Sequence, residues 1–178
     1  VIVDTETTGL TRLSFANKLN YKQWPRMVQV AWALVEDGAI TERHCLLVRP
    51  EGHTIPANAT QLHGITQQEA TEKGLPIREA LERLHKDFTG CESIIAHNIH
   101  FDIGVIQSEA IRAKMDFAIP PKRICTVHKG RQYLVKAKGL KQGGYPTLAY
   151  LYETLFGFSF PGQHDAANDL TACYHVYK

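Results

Sequence analysis

Cysteine is sparse in this 178-residue chain. Cys45, Cys91, Cys125 and Cys173 are scattered, with no C-x-x-C pair. That spacing argues against a disulfide or zinc framework and predicts reduced thiols in a cytoplasmic protein. No apolar run approaches the ~18 residues that span a bilayer, so no membrane partner is expected. Internal repeats, low-complexity tracts and flexible linkers are also missing, and residues 1–178 read as a single domain. An excess of charge of one sign is missing too. A net charge of +2 neither argues for a nucleic-acid partner nor excludes one, because a local basic face can coexist with an acidic site. What is present is ordinary for a domain with a sizeable core: 44% hydrophobic and 21% charged residues. The first residue is Val1 rather than Met, so the natural start is expected upstream.

Hydrophobic patterning gives a coarse order of elements. Residues 1–6 read as a buried strand and residues 11–26 as an exposed polar loop containing Trp24-Pro25-Arg26. Met27 to Val35 and Ile40 to Val48 are β-rich runs joined at Glu36-Asp37-Gly38, where Asp-Gly signals a hairpin. Residues 56–88 look helical in short pieces broken by Gly64, Gly74 and Pro76. Then come a short strand at Ser93 to Ala96, a helix from about Asn98 to Ala113, and a strand at Lys122 to Val127. Helices follow at 146–156 and 165–177. Lys129 to Tyr145, with Lys136, Lys138, Lys141, Gly139, Gly143 and Gly144, reads as a flexible basic loop, either solvated or touching a phosphate backbone. A hairpin followed by alternating strands and helices predicts an α/β sheet covered on both faces.

Two carboxylates end the first apolar run, in Val1-Ile2-Val3-Asp4-Thr5-Glu6-Thr7-Thr8-Gly9-Leu10. Strand side chains alternate with period 2, so Asp4 and Glu6 share a face about 7 Å apart. Either the strand simply runs into a polar turn, or the pair needs a cation or a shifted pKa. A second acidic position follows a short strand: His97-Asn98-Ile99-His100-Phe101-Asp102, with Asn98 where a helix cap belongs and Asp102 one turn in. Asp102 either complements the helix dipole or approaches Asp4 and Glu6 at the carboxyl end of the sheet. A third stretch, His164-Asp165-Ala166-Ala167-Asn168-Asp169, feeds the last helix, with Asp165 as a plausible cap and His164 in an exposed loop.

Taken together, D-x-E at Asp4-Thr5-Glu6, H-N-x-x-F-D at His97 to Asp102 and H-x-A-x-x-D at His164 to Asp169 resemble the DEDDh 3′–5′ exonucleases. This RNase H-like family includes the epsilon proofreading subunit of bacterial DNA polymerase III. Gln61-Leu62-His63-Gly64-Ile65-Thr66 also looks like a family segment. The resemblance implies an α/β fold of RNase H-like type: a five-stranded mixed sheet, second strand antiparallel, with helices on both faces.

By the same resemblance, Asp4, Glu6, Asp102 and Asp169 are the carboxylates that hold two divalent cations ~3.5–4 Å apart. Hard oxygen ligands without Cys suit Mg²⁺ or Mn²⁺. His164 is then the general base, a role suited to the side chain that changes charge near neutral pH. Asp165 is expected to cap and Asp169 to ligate. Substrate contacts carried over are Thr7, Thr8 and Leu10 on the terminal nucleotide, His63 and Ile65 along the penultimate base, and Phe101 in the same groove. Asn98 either orients a carboxylate or caps its helix; for Leu10, Ile65 and Phe101 the alternative is core packing. The expected activity is release of nucleotides from the single-stranded 3′ end of DNA, in proofreading or repair, in a bacterial cytoplasm, with a DNA polymerase subunit as a candidate partner. An exoribonuclease of the same family and a non-catalytic nucleic-acid-binding module are the alternatives.

Overall fold

The computed structural model describes residues 1–139 and 145–178. Five strands form one sheet in the order β3-β2-β1-β4-β5. They are β1 (Ile2–Thr7), β2 (Met27–Glu36), β3 (Ala39–Leu47), β4 (Ser93–Ala96) and β5 (Lys122–Cys125). β2 runs antiparallel to both β1 and β3, whereas β1, β4 and β5 are parallel. The β2–β3 hairpin turns at Asp37 and Gly38, both with positive φ (50° and 73°), the geometry that an Asp-Gly pair favours. The helices are α1 (Ala57–His63), α2 (Gln67–Lys73), α3 (Ile77–Phe88), α4 (Ile99–Arg112), α5 (Thr126–Lys138), α6 (Leu148–Phe156) and α7 (Ala166–Tyr177).

The alternation of β1 divides the core. Val1 and Val3 face one layer, where Val30 and Trp32 meet Leu81 and Leu84 of α3 and Ile99, Ile103 and Ile106 of α4. Ile2 faces the other, with Ala31, Ala33 and Ile95 against Ala166, Leu170 and Cys173 of α7. α3 shows why such layers form: Ile77, Ala80, Leu81, Leu84 and Phe88 recur at helical spacing and are all buried. All four cysteines are free thiols, as expected. Among the described residues, no helix is long and apolar enough to cross a membrane.

Two expectations need correction. The Lys129 to Tyr145 segment is not a loop over its first half, because one helix runs from Thr126 to Lys138. It also shortens the preceding strand to Lys122–Cys125. Gly130 disguised it. The side chain of Leu151 from α6 occupies the space that a Cβ at Gly130 would fill, so this glycine serves a close packing contact rather than a turn. Val127 and Leu134 are buried on the same helix. Lys141, Gly143 and Gly144 lie outside the described residues, as does the side chain of Lys138.

The 11–26 loop is not wholly exposed either. Its end forms a short 3-10 turn at Tyr21–Gln23, and Trp24 is only 3% exposed. The Trp24 ring lies directly on Gly104 of α4, in the volume that a Cβ there would occupy. Gly104→Ala is therefore expected to cost about 1–3 kcal/mol of stability by overpacking. Urea denaturation measures it, and Trp24→Leu in the same chain should recover part of the loss. An unchanged midpoint for Gly104→Ala would show that the Trp24 seat is plastic.

Candidate active site

β1 outruns its parallel neighbour. Ile2 pairs with Ile95, and β4 ends one residue later at Ala96, while β1 continues to Thr7. The carboxyl end of the sheet thus has an open step beside residues 4–7, the place where open α/β sheets gather ligands. Asp4 and Glu6 stand there on the α7 face of the strand, opposite Ala31 and Gln29 of β2.

Asp102 arrives from the other face. Asn98 adopts the left-handed conformation (φ 66°, ψ 47°) and turns the chain sharply from β4 into α4. Asp102 then sits in the first helical turn, buried, where its Oδ1 accepts a 2.8 Å hydrogen bond from the Thr5 hydroxyl. Thr5 points to the α4 face precisely because its neighbours do not, so one strand presents carboxylates to one side and a carboxylate holder to the other. The cap expected of Asn98 is not formed: its side chain makes no capping hydrogen bond and is exposed.

α7 supplies the remaining groups. Asp165 caps it as expected, its Oδ1 accepting from the N–H groups of Ala167 and Asn168 at 3.1 Å each. Buried Gln29 adds a second anchor, its Oε1 accepting from Ala166 N–H at 3.0 Å. One turn on, the Asp169 Oδ2 accepts from the backbone N–H of His164 at 3.0 Å. His164 is exposed and holds positive φ (65°), which bends the loop over the site. Ligand atoms of Glu6, His164 and Asp169 lie within 4.8 Å of one another.

The electrostatics are those of an uncompensated acidic pit. Burial, then the charges of Asp102, Asp169 and Glu6, hold Asp4 well above the usual carboxylate range. Burial and the neighbouring Asp169 and Asp102 push Glu6 up to about 8. Burial raises Asp102 to about 7 against the opposing bond from Thr5, and raises Asp169 against the opposing bond from His164. Among the described residues, no Lys or Arg forms an ion pair with any of the four. Crowded carboxylates, two buried and two half-buried, with no Lys or Arg paired to them among the described residues, fit a site for divalent cations.

The residues expected to touch substrate divide sharply. Leu10 is 88% exposed, so core packing is excluded for it. Ile65, in contrast, is buried with Val28, Ile55, Ala59 and Ala70, and is a core residue. Phe101 is half-buried and tilted against Trp24. The Thr7 hydroxyl donates to Gly9 O at 2.6 Å, and the Thr8 hydroxyl accepts from Arg26 N–H at 2.9 Å, so both brace the turn itself. His63 is buried; its Nδ1 accepts from Ile65 N–H, which leaves the proton on Nε2, and burial, the largest cause, with His164 sets its pKa below the usual value against the opposing bond to the Thr7 backbone.

Sequence reasoning missed three supports: Thr5, Gln29 and His97. The His97 ring is 2.9 Å from the Thr126 hydroxyl and 3.1 Å from Pro146 O, tying the end of β4 to α5 and to the chain before α6. Burial lowers its pKa to about 4, so the ring is neutral. Its place in the H-N-x-x-F-D motif was the available signal.

Comparison with known proteins agrees with this geometry. The RNase T family model, described as an exonuclease, matches residues 1–177. The 3′–5′ exonuclease DinG of Bacillus subtilis is 34% identical over 113 residues, which is 64% of this chain and 11% of that protein. The DNA polymerase III subunit epsilon of Aquifex aeolicus is 28% identical over 179 residues, covering 99% of this chain and 77% of the relative. This chain thus spans about a tenth of DinG but most of the epsilon subunit. Among solved structures, exonuclease X in complex with 5′ overhanging duplex DNA aligns over 99% of this chain and 88% of its own, with TM-score 0.62 and 26% identity. E. coli exonuclease I in complex with a dT13 oligonucleotide aligns over 99% and 39%, with TM-score 0.78 and 21% identity, a likeness of fold. Motifs, sheet order and family model converge: the chain belongs to the RNase T exonuclease family, as a DEDD-type 3′–5′ exonuclease domain of RNase H-like fold.

Proposed function

We propose that this domain releases nucleoside 5′-monophosphates stepwise from the single-stranded 3′ end of DNA. The observation that carries the reading is the convergence of four carboxylates from β1, α4 and α7, Glu6 and Asp102 buried and Asp4 and Asp169 half-buried, beside an exposed imidazole and with no Lys or Arg paired to them among the described residues. Asp4, Glu6, Asp102 and Asp169 would hold two divalent cations, Mg²⁺ or Mn²⁺, and these would supply positive charge to neutralise the pit and to stabilise charge developing on the scissile phosphate. His164 takes the proton of the attacking water. The water oxygen bonds to phosphorus, the P–O3′ bond breaks, and the shortened strand leaves with a 3′-hydroxyl protonated by solvent.

Leu10 projects against the terminal base, while the braced Thr7–Thr8 turn fixes the backbone that meets it. His63 and Ile65 shape the surface along the penultimate base from beneath, and Phe101 and Asn98 border the strand's path. DNA as substrate is supported by what exonuclease I and exonuclease X hold in their structures. A polymerase subunit as partner is suggested by the epsilon relative.

The direct test gives purified protein, with Mg²⁺ or Mn²⁺, 5′-labelled DNA and RNA oligomers with free or blocked 3′ ends. A ladder from the free DNA end alone is expected; failure to cut DNA with either metal would sink the reading. Asp169→Ala is expected to abolish cleavage. Asp165→Ala should cost about 1 kcal/mol of stability through the lost cap, yet keep most of the activity. Equal loss from both would reassign the ligand.

The raised carboxylates set a pH signature. An acid whose pKa is raised by folding binds its proton more tightly folded than unfolded, so stability falls as pH rises from the ordinary range near ~4 through the folded values. For Glu6 and Asp102 those values are about 8 and about 7. Without metal, Tm is therefore expected to drop by about 4–8 °C between about pH 5 and about pH 8. Mn²⁺ should restore it at the higher pH and do little at the lower. Glu6→Gln should raise the metal-free Tm at the higher pH while weakening the response to Mn²⁺. Thermal scans at both pH values check all of this, and a flat metal-free profile would contradict it.

A further inference from the structure

Next to the acidic pit lies a cleft of opposite character. It has a volume of 680 Å³ and is bounded by Arg12 and Phe15 from the loop after β1, Asn98 and Phe101 at the start of α4, and Arg123 and Tyr145. Asn98 and Phe101 flank the helical turn that carries Asp102, so the cleft opens beside the carboxylates. Through His128 and Arg123 it runs into a second hollow of 370 Å³ that adds Lys122 and Lys129. His128 also borders a third, of 330 Å³, with Arg131 and Lys136. Among the described residues lining all three there is no Asp or Glu. Neither Arg12 nor Arg123 forms an ion pair among the described residues.

Two aromatic rings stand open in this basic tract. Phe15 and Tyr145 are each 65% exposed, although rings of that size normally seek cover. Tyr145 is held by Arg131, whose guanidinium carbon is 5.4 Å from the ring centre, and by an edge-on contact with His128. Guanidinium groups beside exposed rings are the chemistry that grips a single strand: charge for its backbone, flat apolar faces for its unstacked bases. A duplex offers no free base faces to such rings.

We propose that this cleft binds the 5′-side stretch of the single strand whose 3′ end is in the carboxylate site, with Arg12 and Arg123 on its phosphates and Phe15 and Tyr145 against its bases. The polarity of the strand rests on the exonuclease reading above; the affinity for a single strand does not. Substrates too short to reach the cleft gain nothing from it, so the site makes KM depend on length while leaving the bond-breaking groups untouched.

The test compares wild type, Arg12→Ala/Arg123→Ala and Phe15→Ala, all exposed positions, on two readouts. In the first, anisotropy of a labelled single strand of about 12 nucleotides is followed in chelator, so that nothing is cut. The double variant is expected to bind about tenfold more weakly. Its slope of log K against log salt should fall by about 1.4, as for two lost contacts at ~0.7 each. Phe15→Ala should weaken binding by about fivefold with no change in slope. In the second readout, with Mg²⁺, the double variant should raise KM for that strand but leave kcat/KM for a dinucleotide unchanged. Binding without cleavage would refute the exonuclease reading and leave the cleft standing. Cleavage with binding and KM identical in wild type and double variant would refute the cleft and leave the exonuclease reading standing. Equal affinity for a blunt duplex would overturn the single-strand assignment.

Discussion

Mutual repulsion among Asp4, Glu6, Asp102 and Asp169 is the constraint that the surrounding fold has to meet. Among the described residues no Lys or Arg pairs with these groups, so their positions are imposed mainly by backbone and hydrogen bonds rather than by ion pairs. Asp4 and Glu6 are fixed by the register of β1 against β2, which is continuous from Ile2 to Glu6 and breaks only at a bulge before Thr7. Asp102 is fixed by Thr5, and α7 by Gln29 at its first N–H. These restraints come from β1 or the strand beside it, and Asp169 is held in addition by the His164 backbone N–H. The apolar layers on both faces of β1 therefore supply the free energy that holds like charges together.

A buried carboxylate outside the pit serves the turn that follows. Glu109, on α4, is 1% exposed, and its Oε1 accepts from Met27 N–H at 3.0 Å and from the Arg26 guanidinium at 2.8 Å. Arg112 stands 3.3 Å away and donates to the carbonyls of Tyr21 and Trp24. The Arg26 carbonyl in turn accepts from Thr8 N–H, and Arg26 N–H donates to the Thr8 hydroxyl. The chain of contacts runs from the middle of α4 to the Thr7–Thr8 turn, so the surface offered to a terminal nucleotide is fastened to the same helix that carries Asp102. Here the charge is compensated, and the ion cluster orders the end of a long loop. In the acidic pit it is not, and the group remains available.

What could be read in the sequence was whatever a short stretch determines by itself. Asp37-Gly38 specifies its hairpin through backbone preference, and Asp165 its cap through reach to the next N–H groups. The alternation at Asp4 and Glu6 is a property of any strand. What could not be read depended on partners distant in sequence. Gly130 looked like a break because its reason, Leu151, lies 21 residues on. Trp24 looked out of place in a polar loop because its seat is Gly104. Asn98 reads either as a cap or as a carboxylate orienter, and it instead makes the left-handed turn from β4 into α4 with no side-chain cap. Thr5 went unnoticed between two carboxylates, and it holds a third.

The net charge of +2 conceals a division of labour. Anionic side chains are concentrated at the carboxyl end of β1, and cationic ones along the cleft that begins at the same turn of α4. A phosphate approaching the pit alone is repelled until protons or cations neutralise it, whereas the cleft attracts the rest of the strand by a field that salt screens within ~8–10 Å. Neutralising the pit therefore strengthens the hold on the strand, and by linkage a strand held in the cleft strengthens the hold on whatever neutralises the pit. The two regions act on one polymer because Phe101 and Asp102, neighbours on one helical turn, face one into the cleft and one into the pit.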